Sequence, residues 1–129
     1  MDFTERLFDM TICITSEGQT LDSNVDPRFG RCRYFILCDT QTGDVEAIEN
    51  PNTQFSSGAG IQSAQLMITK GVKSVVTGNV GPNAFGVLAP AGIDVYLTTG
   101  GMVREAVENF KSGKLAKVDS PGQGKQLKA

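Results

Sequence analysis

The chain predicts an α/β fold: a five-stranded mixed sheet in the order 3-2-1-4-5, flanked by helices. Three observations lead there. Short β-branched apolar segments, two of them joined by a tight turn, occupy residues 10–49. After residue 57, apolar residues at helical spacing alternate with short continuous apolar runs, the pattern of parallel strands joined by crossover helices. Glycine or proline punctuates most of the changeovers.

Met10-Thr11-Ile12-Cys13-Ile14-Thr15 predicts the first strand. The next 17 residues carry Gly18, Asp22, Ser23, Asn24 and Pro27 and predict a loop of a length that compact domains keep chiefly for binding. Arg33 to Asp39 predicts the second strand, Thr40-Gln41-Thr42-Gly43 a hairpin turn, and Asp44 to Glu49 the third strand. Asn50 to Ser57 is a second loop. Ile61, Ala64, Gln65 and Ile68 are spaced as one face of a helix, widened by Leu66 and Met67 and closed by Gly71. Ser74-Val75-Val76-Thr77 is a buried parallel strand. Gly81-Pro82 opens a helix with Ala84, Phe85, Val87 and Leu88 on its core face, and Pro90 with Gly92 ends it. Ile93 to Leu97 is the next strand. Thr98 or Thr99 can cap a third helix striped by Val103, Ala106, Val107 and Phe110 and ended by Gly113. Leu115 to Val118 can add a short edge strand. Right-handed crossovers then set the later strands parallel to the first.

At 129 residues this is one domain by size, expected over residues 10–118, with 1–9 as an N-terminal extension and 119–129 as a flexible polar tail. A net charge of −2 argues against a general nucleic-acid or membrane-surface binder. The first nine residues are short and acidic, unlike a secretory leader, and no run approaches the length of a membrane span. Three cysteines without a Cys-x-x-Cys pair suit a reducing cytoplasm better than a disulfide framework. Histidine is absent, which removes Ser-His-Asp and Cys-His nucleophiles and His-ligated zinc. No nucleophile–base pair is visible, so a turnover enzyme is not expected.

The segment Asp26-Pro27-Arg28-Phe29-Gly30-Arg31-Cys32-Arg33-Tyr34-Phe35 concentrates three arginines, a glycine and a thiol before an apolar strand. Neighbouring arginines lower a thiol pKa, so Cys32 is the candidate soft ligand for a metal. It can equally be an ordinary loop residue, and the arginines an ordinary solvated face. Cys13 and Cys38 fall on strands and read as core. The turns Gly78-Asn79-Val80-Gly81-Pro82 and Thr98-Thr99-Gly100-Gly101 follow strands and precede helices, where free N–H groups and the helix dipole favour anions. Ser56-Ser57-Gly58-Ala59-Gly60 offers the same at a third helix start, on a side of the sheet the sequence does not fix. None has phosphate-loop or dinucleotide-fingerprint spacing. The candidate binding residues are Arg28, Phe29, Gly30, Arg31, Cys32, Ser57, Gly58, Gly60, Gly78, Asn79, Gly81, Thr99 and Gly100.

The ordered pieces Leu21-Asp22-Ser23, Phe29-Gly30-Arg31, Tyr34-Phe35, Gly58-Ala59-Gly60, Gly78 to Phe85, Ala91 to Tyr96 and Ala106-Val107…Phe110…Gly113-Lys114-Leu115 resemble the dinitrogenase iron–molybdenum cofactor biosynthesis family. The resemblance implies a ribonuclease-H-like three-layer fold. It also implies non-covalent, transient carriage of an anionic iron–molybdenum or other metal–sulfur cluster, with metallocluster assembly or acceptor proteins as partners. By that resemblance Phe29-Gly30-Arg31 faces the cluster, and the glycine turns at 58–60, 78–81 and 99–101 form the other walls. Two departures stand out. Nitrogenase-linked members commonly place a histidine near the site, and this chain has none. Cys32 stands where simple members carry a small unreactive residue. A two-metal nuclease of such a fold needs carboxylates on the central strands, and neither Thr11–Thr15 nor Ser74–Thr77 has one.

Two other readings remain open on the residues alone: a small-anion or nucleotide-binding regulatory module, and a protein-interaction adaptor with an empty site. A monomer or weak homo-oligomer is expected, with residues 41–49 able to pair edge to edge. The long loop is expected to be mobile when empty, since Leu21, Val25 and Phe29 are its few apolar anchors.

Overall fold

The structure, a computed structural model, describes residues 11–53 and 58–119. The expected extension, Ser57 and all of the expected tail except Asp119 lie outside the described residues. In chain order come β1 (Thr11–Ser16), β2 (Tyr34–Asp39), β3 (Val45–Glu49), α1 (Ala59–Thr69), β4 (Ser74–Thr77), α2 (Pro82–Leu88), β5 (Asp94–Leu97), α3 (Val103–Lys111) and β6 (Ala116–Lys117). They build one sheet in the order β3-β2-β1-β4-β5-β6. β1 pairs antiparallel with β2 and parallel with β4, and β4 runs parallel with β5.

The expected order 3-2-1-4-5 is therefore present, but the strand count is six rather than five. Ala116 and Lys117 pair antiparallel with Leu97 and Tyr96, and Lys117 Nζ reaches Asp94 Oδ1 at 3.4 Å. The sixth is the short edge strand that Leu115 to Val118 offered, narrowed to the two residues that pair with β5.

Alternation along the strands splits the core into two layers. Cys13, Phe35, Leu37, Val75 and Val95 face one side, where α1 and α2 cover them with Ala64, Met67, Ala84 and Leu88. Ile12, Ile14, Ile36, Cys38 and Val76 face the other, covered by α3 through Val103, Ala106 and Val107. Among the described residues two of the three helices thus share one face, and the third packs on the opposite face.

The β2–β3 turn is held by Asp39, whose Oδ1 accepts from the amides of Gln41 at 2.8 Å and Thr42 at 3.0 Å, and Gly43 supplies the positive φ of +85°. The start of α3 differs from expectation. Thr98 and Thr99 lie too early, because Gly100 and Gly101 turn the chain with φ of +122° and +87°. Met102 becomes the cap position, and its amide donates to Glu105 Oε1 at 3.0 Å.

The long β1–β2 loop is tied down more densely than its apolar residues suggest. Asp26 N donates to Thr15 O at 2.9 Å and Val25 N to Gly101 O at 2.8 Å; Val103 N and Arg104 N donate back to Ser23 O and Leu21 O, each at 2.8 Å. Beneath it the buried Thr15 hydroxyl sits 2.6 Å from Asp26 O and 2.8 Å from the Thr77 hydroxyl. The ends of the parallel β1 and β4 thereby fix where the loop turns toward α1.

Candidate functional site

The loop arrives at the α1–α2 face as Asp26-Pro27-Arg28-Phe29-Gly30-Arg31. Asp26 is 2% exposed, and its carboxylate accepts from Arg28 N at 3.0 Å and from Arg28 Nε and Nη2 at 3.2 Å each. This fork fixes the guanidinium, which remains largely exposed, and the hydrogen-bonded carboxylate holds it protonated more firmly than an ordinary arginine. Phe29 anchors the turn, 2% exposed with its ring centroid 5.9 Å from that of Phe35.

Gly30 is where main chain meets main chain. A Cβ there would lie 2.8 Å from Gly60 Cα and 2.9 Å from Gly60 N. A Cβ on Gly60 would in turn lie 3.3 Å from Ala84 Cβ. The loop and the first turn of α1 are therefore stacked main chain on main chain, and α2 packs against Gly60 through Ala84 Cβ.

Between them opens a crevice of about 320 Å³. Arg28, Phe29, Gly30 and Arg31 line one side, Gly58 to Ile61 the second, and Asn79 with Gly81 to Ala84 the third. α1 starts on Gly58, at φ +83°, with no side-chain cap and no acidic residue in its first turn. Its first amides have no acceptor within the helix and carry the positive end of the dipole. The described lining contains two arginines and no acidic side chain. Such an arrangement presents N–H donors and positive charge, the chemistry that suits an anion. No group of three or more His, Cys, Asp or Glu side chains able to hold a metal ion occurs among the described residues.

Of the residues singled out by sequence, Arg28, Phe29, Gly30, Arg31, Gly58, Gly60, Asn79 and Gly81 come together here. Gly78 forms the partition behind them, since a Cβ there would lie 2.7 Å from Pro27 Cα. Thr99 and Gly100 are not in this crevice. They line a separate cavity with Val25, Pro27, Gly78 and Thr98, across that partition. The helix they lead into packs on the other face of the sheet, and its start is already occupied by Glu105.

Cys32 also departs from expectation. It is fully buried in the layer beneath α1 and α2, with Sγ 3.5 Å from Phe29 O, and does not line the crevice. Burial, followed by the nearby Asp26 charge, pushes its thiol up to about 12, and Arg28 opposes this only weakly. The expected depression by arginines fails because desolvation outweighs them. Alternation explains it: Arg31 and Arg33 point to solvent, so the residue between them points inward. A thiol reagent at pH 8 should leave Cys32 unmodified in the native protein, and Cys32→Ala should change anion retention by less than about twofold. Rapid native-state labelling of Cys32 would show that the thiol is accessible after all.

Three buried polar residues were not found from sequence: Asn50, Asn52 and Ser63. Asn50 Nδ2 donates to Gly30 O at 3.1 Å and to Cys32 O at 2.8 Å, and Ser63 Oγ donates to Gly30 O at 3.3 Å. Only the Asn50-Pro51 pair at the strand end hinted at a special position.

The comparisons with known proteins agree on the fold. The profile described as dinitrogenase iron–molybdenum cofactor matches residues 10–113. The apo form of the orange protein from Desulfovibrio gigas superposes with a TM-score of 0.85 at 39% identity, covering 88% of this chain and 96% of that one. The NMR structure of a Thermotoga protein with a proposed NifB assignment gives 0.75 at 41% identity, over 84% and 92% of the two chains. An uncharacterised protein of Methanocaldococcus jannaschii is 35% identical over 103 residues, 77% of this chain and 87% of its own length. No helix among the described residues is long and apolar enough to cross a membrane.

Proposed function

The chain belongs to the dinitrogenase iron–molybdenum cofactor family, and on that premise we propose that it is a non-catalytic carrier or assembly factor for an anionic metal–sulfur cluster. The cargo is iron–molybdenum-cofactor-like or a precursor of it, held transiently and without covalent bonds in the crevice between the arginine loop, α1 and α2. The carrying domain is residues 10–118, its partners are the proteins that build or receive the cluster, and its setting is the reducing cytoplasm. The apo form of the orange protein implies that this similar protein also has a liganded form.

The observation that carries this reading is the donor set. Arg28, Arg31 and the uncapped start of α1 converge on a volume whose described lining contains neither a carboxylate nor a thiol. Guanidinium and amide N–H groups attract a negatively charged cluster through its outer sulfur atoms and leave its metal–sulfur bonds alone. Chemistry on the cargo would need a nucleophile, an acid or a base, and none lines the described crevice.

Anaerobic incubation with iron, sulfide and molybdate or tungstate, followed by desalting, metal analysis and an absorption spectrum, tests this. A stoichiometric coloured complex is expected. Arg31→Ala should weaken its retention about tenfold, the worth of one charge-assisted hydrogen bond. Arg28→Ala would also strip the partner from buried Asp26. Retention of phosphate or a nucleotide but no metal would favour the anion-binding module, and retention of neither would favour an adaptor with an empty site.

A further inference from the structure

Arg31 sits on a peptide arch whose two feet rest on one side chain. The amide nitrogen of Asn50 has two protons. One goes to the carbonyl of Gly30 at 3.1 Å and the other to the carbonyl of Cys32 at 2.8 Å, the residues on either side of Arg31. Two further polar groups of Asn50 are engaged as well. Its Oδ1 accepts from Asn52 N at 2.9 Å, and its own amide donates to Arg33 O at 2.9 Å. Asn50 is 3% exposed, and no buried side-chain polar atom among the described residues lacks a partner.

We propose that Asn50 is a positioning residue of the anion crevice: by holding the carbonyls of Gly30 and Cys32 it aims Arg31 and presses Gly30 against α1. The inference rests on the carrier reading for its functional meaning, but the geometry stands apart from it. A helix clamp supports the same foot, since Ser63 in α1 donates to the Gly30 carbonyl at 3.3 Å. Asn52 Nδ2 lies 3.3 Å from Ser63 Oγ and joins the two supports. Both supports act on the main chain and neither Asn50 nor Ser63 lines the crevice, so their effect on the cargo passes through Arg31 and Gly30. A hydrophobic residue of similar size would strip the Asn50 donor from the Cys32 carbonyl and one of two side-chain donors from the Gly30 carbonyl.

Asn50→Asp keeps the size and removes both donors. Amide exchange across Gly30–Cys32 in the metal-free protein should speed up about tenfold in this variant, while exchange in β4 stays within about twofold. Retention of the reconstituted iron–molybdenum–sulfide complex should fall roughly 10-fold, the lower end for groups that orient a ligand set, at a temperature where circular dichroism shows the variant folded. Ile36→Val, a core truncation on the opposite face, is the control for lost stability alone and should leave both readouts near wild type. Unchanged exchange at Gly30–Cys32, or an equal speeding of exchange and loss of retention in the Ile36→Val control, would overturn the positioning role. If Asn50→Asp does not fold, Ser63→Ala removes the second donor to Gly30 and should shift both readouts the same way by about 2-fold to 3-fold; no shift there counts against the proposal. Failure of the wild-type protein to retain any metal overturns the carrier reading instead, and the exchange comparison on the free protein still decides the role of Asn50.

Discussion

Gly30→Ala is expected to lower the unfolding free energy by about 2 kcal/mol and to abolish cluster retention. The new methyl would stand 2.8 Å from Gly60 Cα, 2.9 Å from Gly60 N and 3.2 Å from Ala59 C. These are backbone atoms of a helix and cannot rotate aside. Ala84 on α2 limits how far Gly60 can retreat, since a Cβ built on Gly60 would already lie 3.3 Å from Ala84 Cβ. The strain is relieved only by lifting the loop, which moves Arg31 away from the α1 start. Gly86→Ala is the matched control. Gly86 is exposed on α2, does not line the crevice, and a Cβ there meets nothing within 4 Å, so fold and retention should persist. Denaturant melts and metal analysis of the two variants make the comparison. A Gly30→Ala protein as stable and as well loaded as wild type would show that the three backbones are not in contact.

The second large effect is alkaline loss of stability through Cys32. Its thiol ionises at about 12 in the folded protein against an ordinary value of 9.0. A raised folded value means that the stability from this group is complete below pH 9. As pH rises, the unfolded chain ionises first and draws the equilibrium toward itself, until the contribution is spent near pH 12. Three decades of proton affinity correspond to about 4 kcal/mol. Cys13, raised by the same desolvation, adds in the same direction. Lysines and tyrosines titrate in this range too, so the measurement is the difference between wild type and Cys32→Ala. That difference should be flat to pH 9 and then shift against wild type by about 4 kcal/mol toward pH 12. A flat difference throughout would mean that water reaches the thiol.

The legible parts of this chain are those where one local signal fixes the outcome. Ser74–Thr77 is a strand with the expected limits, because four consecutive buried apolar or hydroxyl residues suit a strand covered on both faces. Gly58, Gly60, Asn79 and Gly81 reach the crevice, because helix starts after strands on one face must crowd together. Thr99 and Gly100 carried the same local signal and went elsewhere. The sequence does not say that α3 returns across the opposite face, and Glu105 three residues into that helix start was the overlooked sign of an end already capped. For Cys32 the pattern of neighbouring arginines did not reveal the burial that outweighs their charge. Asn50 had no motif at all, since its role exists only once residues 30, 32 and 50 meet in space.

The material of the crevice also bears on how a cargo would leave it. Among the described lining residues the only ionisable side chains are the guanidinium groups of Arg28 and Arg31. The rest is peptide, hydrocarbon and amide. Acidification has no group there to switch, and oxidants have no lining thiol to attack. On the carrier reading, unloading is then a matter of hand-over. An acceptor takes the cluster by offering the metal–sulfur bonds that this wall of main chain does not make, and the holder emerges chemically unchanged and ready for another load.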